Sequence, residues 1–190
     1  MFYKIGKALV RFLLFFVFRI EVKGVENIPK TGGAIMVMNH QSNWDGPIAS
    51  IASNRKLRFM AKAEMFKTKI GNWFFTNLGA FPVQRGKGDI GAIKAAISKL
   101  REEEMIAMFP EGRRRKAGEK SEAKPGAVML SLKARVPLVP THIEGNFKWM
   151  SKIRVTFGEP VYYTELYEEK VPVEDLQEMS NILMETINSL

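Results

Sequence analysis

Cysteine is absent from the 190-residue chain, and histidine occurs only at His40 and His142. Without thiols the protein has no disulfide bond, no thiolate metal ligand and no cysteine nucleophile. Two histidines make no convincing metal site, so we expect no bound metal, and we treat His142 as structural because it lies in an apolar, strand-like run. Internal repeats and low-complexity tracts are also missing. The length predicts one domain with a sizeable core.

Long apolar runs are missing as well. The most apolar stretch, residues 8–20, holds an uninterrupted apolar run over residues 12–18 only, whereas about 20 apolar residues are needed to cross a bilayer as a helix. No small-residue cleavage site for a secretory signal follows it. We therefore expect neither a membrane span nor a cleaved signal.

The same stretch is nevertheless suited to a membrane surface. Lys4, Lys7 and Arg11 recur at helical spacing and share one face, while Phe, Leu and Val cover the rest. This pattern is typical of an amphipathic helix lying in the head-group region. A helix packed on the core of its own domain is the alternative. We predict that residues 1–23 form a membrane-associating helix and that residues 24–190 form the main domain.

Acidic residues are the minority among the charged ones. Lysine and arginine number 29 and aspartate and glutamate 20, which gives a net charge of +9. Such a balance favours an anionic partner: nucleic acid, anionic lipid or a phosphorylated substrate. Charge alone does not choose among the three.

Short apolar runs alternate with helical patterns through the main domain, as in strands joined by crossover helices. We predict an α/β fold with a mixed, largely parallel sheet flanked by helices, preceded by the N-terminal interfacial helix. The predicted strands cover residues 34–39, 57–61, 79–83, 105–109, 136–143 and 152–157. Predicted helices cover 46–53, 64–77, a segment capped by Asp89, a segment opened by Pro125, and 174 to the end.

The strongest local group of polar residues, 39–45 (NHQSNWD), directly follows a predicted buried strand. In α/β sheets ligands bind at the carboxyl ends of strands, which is where His40 is expected. An imidazole that donates one N–H to a carboxylate can accept a proton from a hydroxyl at its other nitrogen. Asp45 can supply that carboxylate. Alternatively, Asp45 is a helix N-cap and His40 an ordinary residue at a strand end.

Two further segments end in basic residues. Residues 109–115 (FPEGRRR) follow a predicted strand and combine a carboxylate, a glycine and three guanidinium groups. Arginine matches phosphate geometry bidentately, and glycine lets backbone amides approach an anion. Residues 79–85 (GAFPVQR) end in Arg85. The alternative for both segments is a solvated surface charge.

These residues resemble the motifs of the bacterial 1-acylglycerol-3-phosphate acyltransferases, the lysophosphatidic acid acyltransferase family. The first motif, asparagine-histidine-x-serine-x-x-aspartate, is matched by Asn39, His40, Ser42 and Asp45. The second, a glycine followed six residues later by an arginine, is matched by Gly79 and Arg85. The third, phenylalanine-proline-glutamate-glycine-x-arginine, is matched by residues 109–112 and Arg114, and the fourth, a proline-bearing apolar strand, by residues 136–140. The likeness covers roughly residues 24–160.

The resemblance implies roles for individual residues. His40 would deprotonate the glycerol hydroxyl that attacks the thioester, and Asp45 would orient His40. Arg85 and Arg114 would bind the phosphate of the acceptor and Glu111 its glycerol part, while the backbone near Lys62 and Gly112 would steady the thioester oxygen. Direct transfer agrees with the absence of a cysteine and of a glycine-x-serine-x-glycine elbow for an acyl-enzyme.

The activity implied is transfer of a fatty acyl group from acyl-CoA or acyl carrier protein (acyl-ACP) to the sn-2 hydroxyl of 1-acylglycerol 3-phosphate. The product would be phosphatidic acid for phospholipid biosynthesis, and no cofactor is expected beyond the thioester co-substrate. The expected location is the cytoplasmic face of the cell membrane, with monotopic or peripheral attachment to its anionic surface. Nucleic acid is not an expected partner, because no binding module is recognisable.

Three alternatives stay open at this point. The acceptor could be glycerol 3-phosphate or another lysophospholipid, or the chain could bind membrane lipid without catalysis. Arg113 and Arg115 stand where the family commonly has threonine and serine, which suggests a more anionic acceptor.

Overall fold

Helices and strands alternate along most of the chain in the computed structural model, which describes residues 2–83, 90–114 and 123–190. The helices are α1 (Phe2–Phe15), α2 (Asp45–Ala52), α3 (Lys69–Asn77), α4 (Ile90–Arg101), α5 (Gly126–Ala134) and α6 (Val173–Ser189). The strands are β1 (Phe18–Lys23), β2 (Ala34–Met38), β3 (Leu57–Lys62), β4 (Ala80–Val83), β5 (Met105–Met108), β6 (Leu138–Gly145) and β7 (Ser151–Phe157). Short 3₁₀ helices cover Val25–Asn27, Ala63–Phe66 and Thr164–Leu166.

The strands form one sheet in the order β1-β7-β6-β2-β5-β3-β4. Every neighbouring pair is parallel except β6 and β7, which run antiparallel. The predicted α/β fold with a mixed, largely parallel sheet is therefore confirmed. Because β2 to β6 all point the same way, their carboxyl ends share one edge of the sheet.

The central strand β2 shows why the sheet is covered on both faces. Its five residues, AIMVM, are all buried, as expected for a parallel strand with helices on either side. Met36 and Met38 pack with α1 and α2, whereas Ile35 and Val37 pack with α4, α5 and α6.

The N-terminal segment differs from the prediction that residues 1–23 form a helix. Helix α1 ends at Phe15, and residues 18–23 form β1, which pairs with β7 at one side of the sheet. The sequence FRIEVK alternates apolar and charged residues, which is the two-residue period of a strand. The high apolar content of residues 8–20 concealed this change of period.

The remaining elements lie close to their predicted bounds. The segment predicted as one helix over residues 64–77 is a 3₁₀ turn followed by α3, whose first turn is capped by the hydroxyl of Thr68, accepting from the N–H of Gly71. His142 lies in β6, as predicted. The predicted cap Asp89 lies outside the described residues.

Candidate active site

Asn39 links β2 to β6 where the backbone pairing of the two strands stops. Its amide nitrogen donates to the carbonyl of Ile143 at 2.8 Å, and its amide oxygen accepts from the N–H of Ile143 at 2.8 Å. The side chain thus replaces a backbone partner one step beyond Met38, the last β2 residue in register with β6. Because Asn39 is fully buried, this contact fixes where the chain leaves the sheet at His40.

His40 and Asp45 form the predicted pair. Nδ1 of His40 lies 2.9 Å from Oδ2 of Asp45, whose side chain is fully buried. The same Oδ2 accepts from the backbone N–H groups of Gln41 and Ser42, each at 2.7 Å. Oδ2 already accepts two N–H groups, so its hydrogen bond with the imidazole is made when Nδ1 of His40 donates, and the lone pair then lies on Nε2. The geometry therefore leaves Nε2 as a base.

The alternative role of Asp45 as a helix N-cap does not fit the structure. Helix α2 begins at Asp45, its N-cap residue is Trp44, and no side chain caps it. The carboxylate of Asp45 points back to residues 40–42 instead. Ser42 has a local role, since its hydroxyl accepts from the N–H of Trp44 at 3.2 Å and shapes the turn before the helix.

Two residues that follow β5 also hold His40 in place. The ring of Phe109 stacks on the imidazole, with 3.9 Å between ring centroids and 20° between planes. Oε1 of Glu111 accepts from the backbone N–H of His40 at 3.2 Å, and Glu111 is only 4% exposed. The sequence suggested neither contact, although both residues belong to the segment 109–112 that carries a family motif.

Gly112 has a left-handed backbone, with φ of +68°. Its N–H donates to the carbonyl of Phe109 at 3.1 Å and closes the turn after β5. This N–H is thus already engaged within the turn, whereas the family resemblance implied that the backbone near Gly112 steadies the thioester oxygen. The side chain of Lys124 lies over the glycine.

The other predicted binding residues are distributed along the same edge of the sheet. Lys62 is the last residue of β3, is exposed, and pairs in register with Val83 of β4. Arg114 is exposed in the segment that follows β5. Because β3 lies beside β5, both cations belong to the edge that carries His40. Arg85 lies outside the described residues, as does Arg115.

An apolar cavity of about 290 Å³ lies close to Asp45 and Lys62, whose sequence neighbours line it. It is an open cavity lined by residues of α1, α2, α3, β3 and β4, and its walls include Val10, Phe59 and Leu78. Gly46 and Ala61 also line it. Gly46 directly follows Asp45, and Ala61 directly precedes Lys62. The cavity therefore opens a space for an apolar group beside the polar edge.

Helix α1 turns apolar residues outward, and its three basic residues, Lys4, Lys7 and Arg11, are not all on its exposed side. Its outer face, here defined as Ile5, Leu9, Phe12, Leu13 and the adjoining Phe16, is more than half exposed at every position. Lys7 faces inward instead and donates to the carbonyl of Ser53 at 2.5 Å. Burial lowers the pKa of the Lys7 ammonium, and the charge of Arg11 lowers it further. One stripe of the helix thus packs on the domain and another is bare, and attachment of the bare stripe to a membrane stays a prediction.

Two tryptophans flank the outer face of α1. The ring of Trp73 meets that of Phe2 edge-on at 4.8 Å, and the indole N–H of Trp149 donates to the carbonyl of Phe16 at 3.1 Å. Trp73 is 57% and Trp149 79% exposed. Tryptophan with one apolar and one polar side is common at membrane interfaces. Within the described residues, no helix is both long and apolar enough to cross a membrane.

Comparison with known proteins gives consistent results. The chain is 30% identical over 179 residues to the 1-acyl-sn-glycerol-3-phosphate acyltransferase of Bacillus subtilis (strain 168), covering 90% of this chain and 87% of that protein. It is 28% identical to the enzyme of the same name from Streptococcus pneumoniae, covering 77% of this chain and 56% of that protein.

A solved structure agrees in fold. The 1-acyl-sn-glycerophosphate acyltransferase PlsC from Thermotoga maritima superposes with a TM-score of 0.73 at 26% identity, covering 99% of this chain and 77% of that one. The family model described as "Acyltransferase" matches residues 19–144, a range that holds His40, Asp45 and the turn after β5. This chain therefore belongs to the acyltransferase family.

Proposed function

We propose that the protein transfers a fatty acyl group from an acyl thioester to the free sn-2 hydroxyl of 1-acylglycerol 3-phosphate, forming phosphatidic acid. The observation that carries the proposal is the 2.9 Å contact between Nδ1 of His40 and Oδ2 of Asp45, which leaves Nε2 free. The family assignment and the names of the relatives support the same reaction.

The chemistry needs one base and no covalent intermediate. Nε2 of His40 takes the proton of the sn-2 hydroxyl while its oxygen attacks the thioester carbonyl. A C–O bond forms, the C–S bond breaks, and the imidazolium returns the proton to the departing thiolate. The buried carboxylate of Asp45 stabilises the imidazolium during transfer. The donor is acyl-CoA or acyl-ACP, and the reaction as written requires no other cofactor.

Substrate binding is proposed along the carboxyl edge of the sheet. Arg114 and Arg85 would bind the acceptor phosphate, since guanidinium groups bind phosphate through charge-assisted hydrogen bonds, and the backbone near Lys62 would steady the thioester oxygen. That Glu111 engages the glycerol part stays a prediction, because its observed contact is with His40. The 290 Å³ cavity beside Asp45 and Gly46 would hold part of an acyl chain.

We further propose that the protein works at a membrane surface, on its cytoplasmic face. The outer face of α1 offers exposed apolar side chains, and the net charge of +9 attracts anionic lipid. Both features suit peripheral attachment next to a lipid substrate. No observation favours glycerol 3-phosphate, another lysophospholipid or non-catalytic lipid binding above this proposal.

The test is an acyl-transfer assay in detergent or liposomes with 1-acylglycerol 3-phosphate as acceptor, comparing the natural chain with His40→Ala. The expected result is turnover by the natural chain with acyl-CoA or acyl-ACP and its loss in the variant, by about 100-fold or more for removal of a general base. Ser42→Ala is the matched control, because the hydrogen bond of this hydroxyl in the described part of the chain is with the N–H of Trp44, within the local turn. Equal rates in the natural chain and His40→Ala would contradict the proposal.

Glycerol 3-phosphate and a lysophospholipid with a larger head group are assayed alongside. Turnover with either of these and none with 1-acylglycerol 3-phosphate would replace the acceptor but keep the reaction class. A protein that binds lipid vesicles equally well with and without His40, and transfers nothing, would instead be a lipid-binding protein.

A further inference from the structure

Lys124 stands out because its side chain runs across the turn that follows β5. A Cβ atom placed on Gly112 would lie 3.1 Å from Nζ, 3.2 Å from Cε and 3.4 Å from Cδ of Lys124. These are tight contacts along three successive atoms of one side chain. Any residue other than glycine at position 112 would push the flexible end of Lys124 aside by a few tenths of an ångström, and it would strain its own backbone, whose φ is +68°.

The backbone around Lys124 is fixed from two directions. Its N–H donates to the carbonyl of Pro110 at 2.8 Å, which ties it to the turn after β5. The preceding residue, Ala123, is buried, and its carbonyl accepts from the amide of Gln177 of α6 at 2.6 Å. Helix α5 begins two residues after Lys124. The lysine stem thus starts from a well-anchored point.

The charge of Lys124 is not used to hold the fold together. Within residues 2–83, 90–114 and 123–190, no ion pair joins its ammonium to a carboxylate, and the residue is exposed. Nζ instead lies beside Gly112, the residue that directly follows Glu111, which holds His40, and that stands two residues before the exposed Arg114. An ammonium at this place carries three N–H donors to the edge of the sheet where the base stands.

We propose that Lys124 binds the phosphate of the acceptor together with Arg114, from the space that the missing side chain of Gly112 leaves open. The inference rests on the proposed function, because it needs an acceptor with a phosphate near His40. It assigns a binding role to a residue that no sequence motif identified. It also gives the space above Gly112 a use in binding, since the N–H of Gly112 itself is engaged in its own turn.

The kinetic test compares Lys124→Met with Lys124→Arg. Methionine keeps an apolar stem over Gly112 but removes the charge, and arginine keeps the charge. The expected result for Lys124→Met is a rise in KM for 1-acylglycerol 3-phosphate of about tenfold, as for loss of one hydrogen bond to a charged group, with kcat within about twofold. Lys124→Arg should recover most of the loss. Lys133→Met, an exposed lysine at the far end of α5, is the matched control and should leave KM unchanged.

Acyl-CoA also carries phosphates, so KM is measured separately for donor and acceptor. A rise for the acceptor alone supports the proposal. A rise for acyl-CoA with an unchanged acceptor KM overturns it, and so does a fall in kcat without a change in KM.

A measurement that needs no turnover separates this inference from the proposed function. Lysines of the natural chain are acetylated with an amine-reactive reagent, and modification of Lys124 and Lys133 is quantified by mass spectrometry. With 1-acylglycerol 3-phosphate present, Lys124 should be protected and Lys133 should not. Monoacylglycerol, which has the same chain and no phosphate, should protect neither. Protection of Lys124 in a protein without transferase activity would refute the proposed function alone, and unchanged labelling of Lys124 would refute the inference.

Discussion

His40 is held by three kinds of contact, each from a different residue. Asp45 accepts from its ring, Phe109 stacks on the ring, and Glu111 accepts from its backbone N–H. The last two come from the end of β5, which lies next to β2 in the sheet. A base is effective when its orientation is set before the substrate arrives, because reorientation then adds nothing to the barrier. The arrangement around His40 meets that condition.

The role of Asp45 is tested by Asp45→Asn. An amide of the same size can keep the three contacts of Oδ2 with its oxygen, but it cannot stabilise an imidazolium by charge. We expect kcat to fall by about 100-fold or more, as for loss of a general base, with the acceptor KM unchanged because Asp45 is buried. Steady-state kinetics of the purified variant check this, and circular dichroism verifies its fold. A variant with a normal kcat would show that Asp45 only shapes the turn.

At the scale of residues, the sequence predicted the contact between His40 and Asp45, but it did not predict the long-range contacts that hold this pair in place. His40 and Asp45 are five residues apart, so their contact is local and their motif is informative. Asn39 bonds to Ile143 and His40 to Glu111 across separations of 104 and 71 residues. Those pairings depend on which strands become neighbours. A chemical reading of single motifs does not contain strand order, so these supporting contacts were not predicted.

At the scale of elements, α1 and β1 show how two periods can merge in one apolar stretch. The helical spacing of Lys4, Lys7 and Arg11 predicted a helix correctly but not which way it faces. Lys7 packs inward because the carbonyl of Ser53, at the end of α2, offers it a hydrogen-bond acceptor. The alternation in residues 18–23 was concealed by neighbouring phenylalanines. Composition thus identified the segment, and tertiary partners decided its geometry.

The outer face of α1 is tested by Phe12→Gln, with Ile182→Gln as matched control. Both side chains are similarly exposed, at 60% and 55%, and Ile182 lies on α6 at the opposite face of the sheet. We expect Phe12→Gln to weaken partitioning into neutral phosphatidylcholine vesicles by about tenfold, since it removes one large apolar side chain from the interface. Vesicle flotation measures the bound fraction. Equal losses in both variants would assign membrane binding to no particular face.

Substitution is a cleaner test than deletion for this element. Removing residues 1–19 would also remove Leu14 and Phe18, which are buried in the core, and the first paired residues of β1. Loss of binding in such a truncation could then result from a damaged fold.

The cavity between α1, α2 and α3 is tested by Ala61→Phe. A phenyl group at this position would fill part of the 290 Å³ next to Gly46. We expect transfer of long acyl chains to fall by about tenfold or more, because a filled cavity leaves part of the chain exposed to water. Transfer of short chains should be nearly unchanged, which provides the internal control. Competition between acyl donors of different lengths in one assay measures the ratio, and an unchanged ratio would place the chain elsewhere.

At the scale of the whole molecule, the proposed binding to a lipid surface rests on two forces. The outer face of α1 contributes apolar contact, which salt does not screen, and the net charge of +9 contributes attraction to anionic lipid, which salt does screen. Composition alone predicted the second force. The first required knowledge of which side of α1 the domain leaves bare, which only the fold provides.

The two forces predict different responses to ionic strength. Binding to anionic vesicles should weaken as salt is raised from about 0.01 M to 1 M, because the Debye length shrinks from about 30 Å to 3 Å over this range. At high salt, binding should level off at the affinity measured for neutral vesicles.

Arg11→Gln should reduce the slope of this salt dependence, because Arg11 is an exposed cation on α1. Phe12→Gln should instead lower binding at every salt concentration and keep the slope. Arg101→Gln, an exposed arginine on α4 at the other face, is the matched control and should leave the curve unchanged. If Arg101→Gln lowered the slope as much as Arg11→Gln, attraction would depend on total charge alone, and α1 would not orient the protein on the membrane.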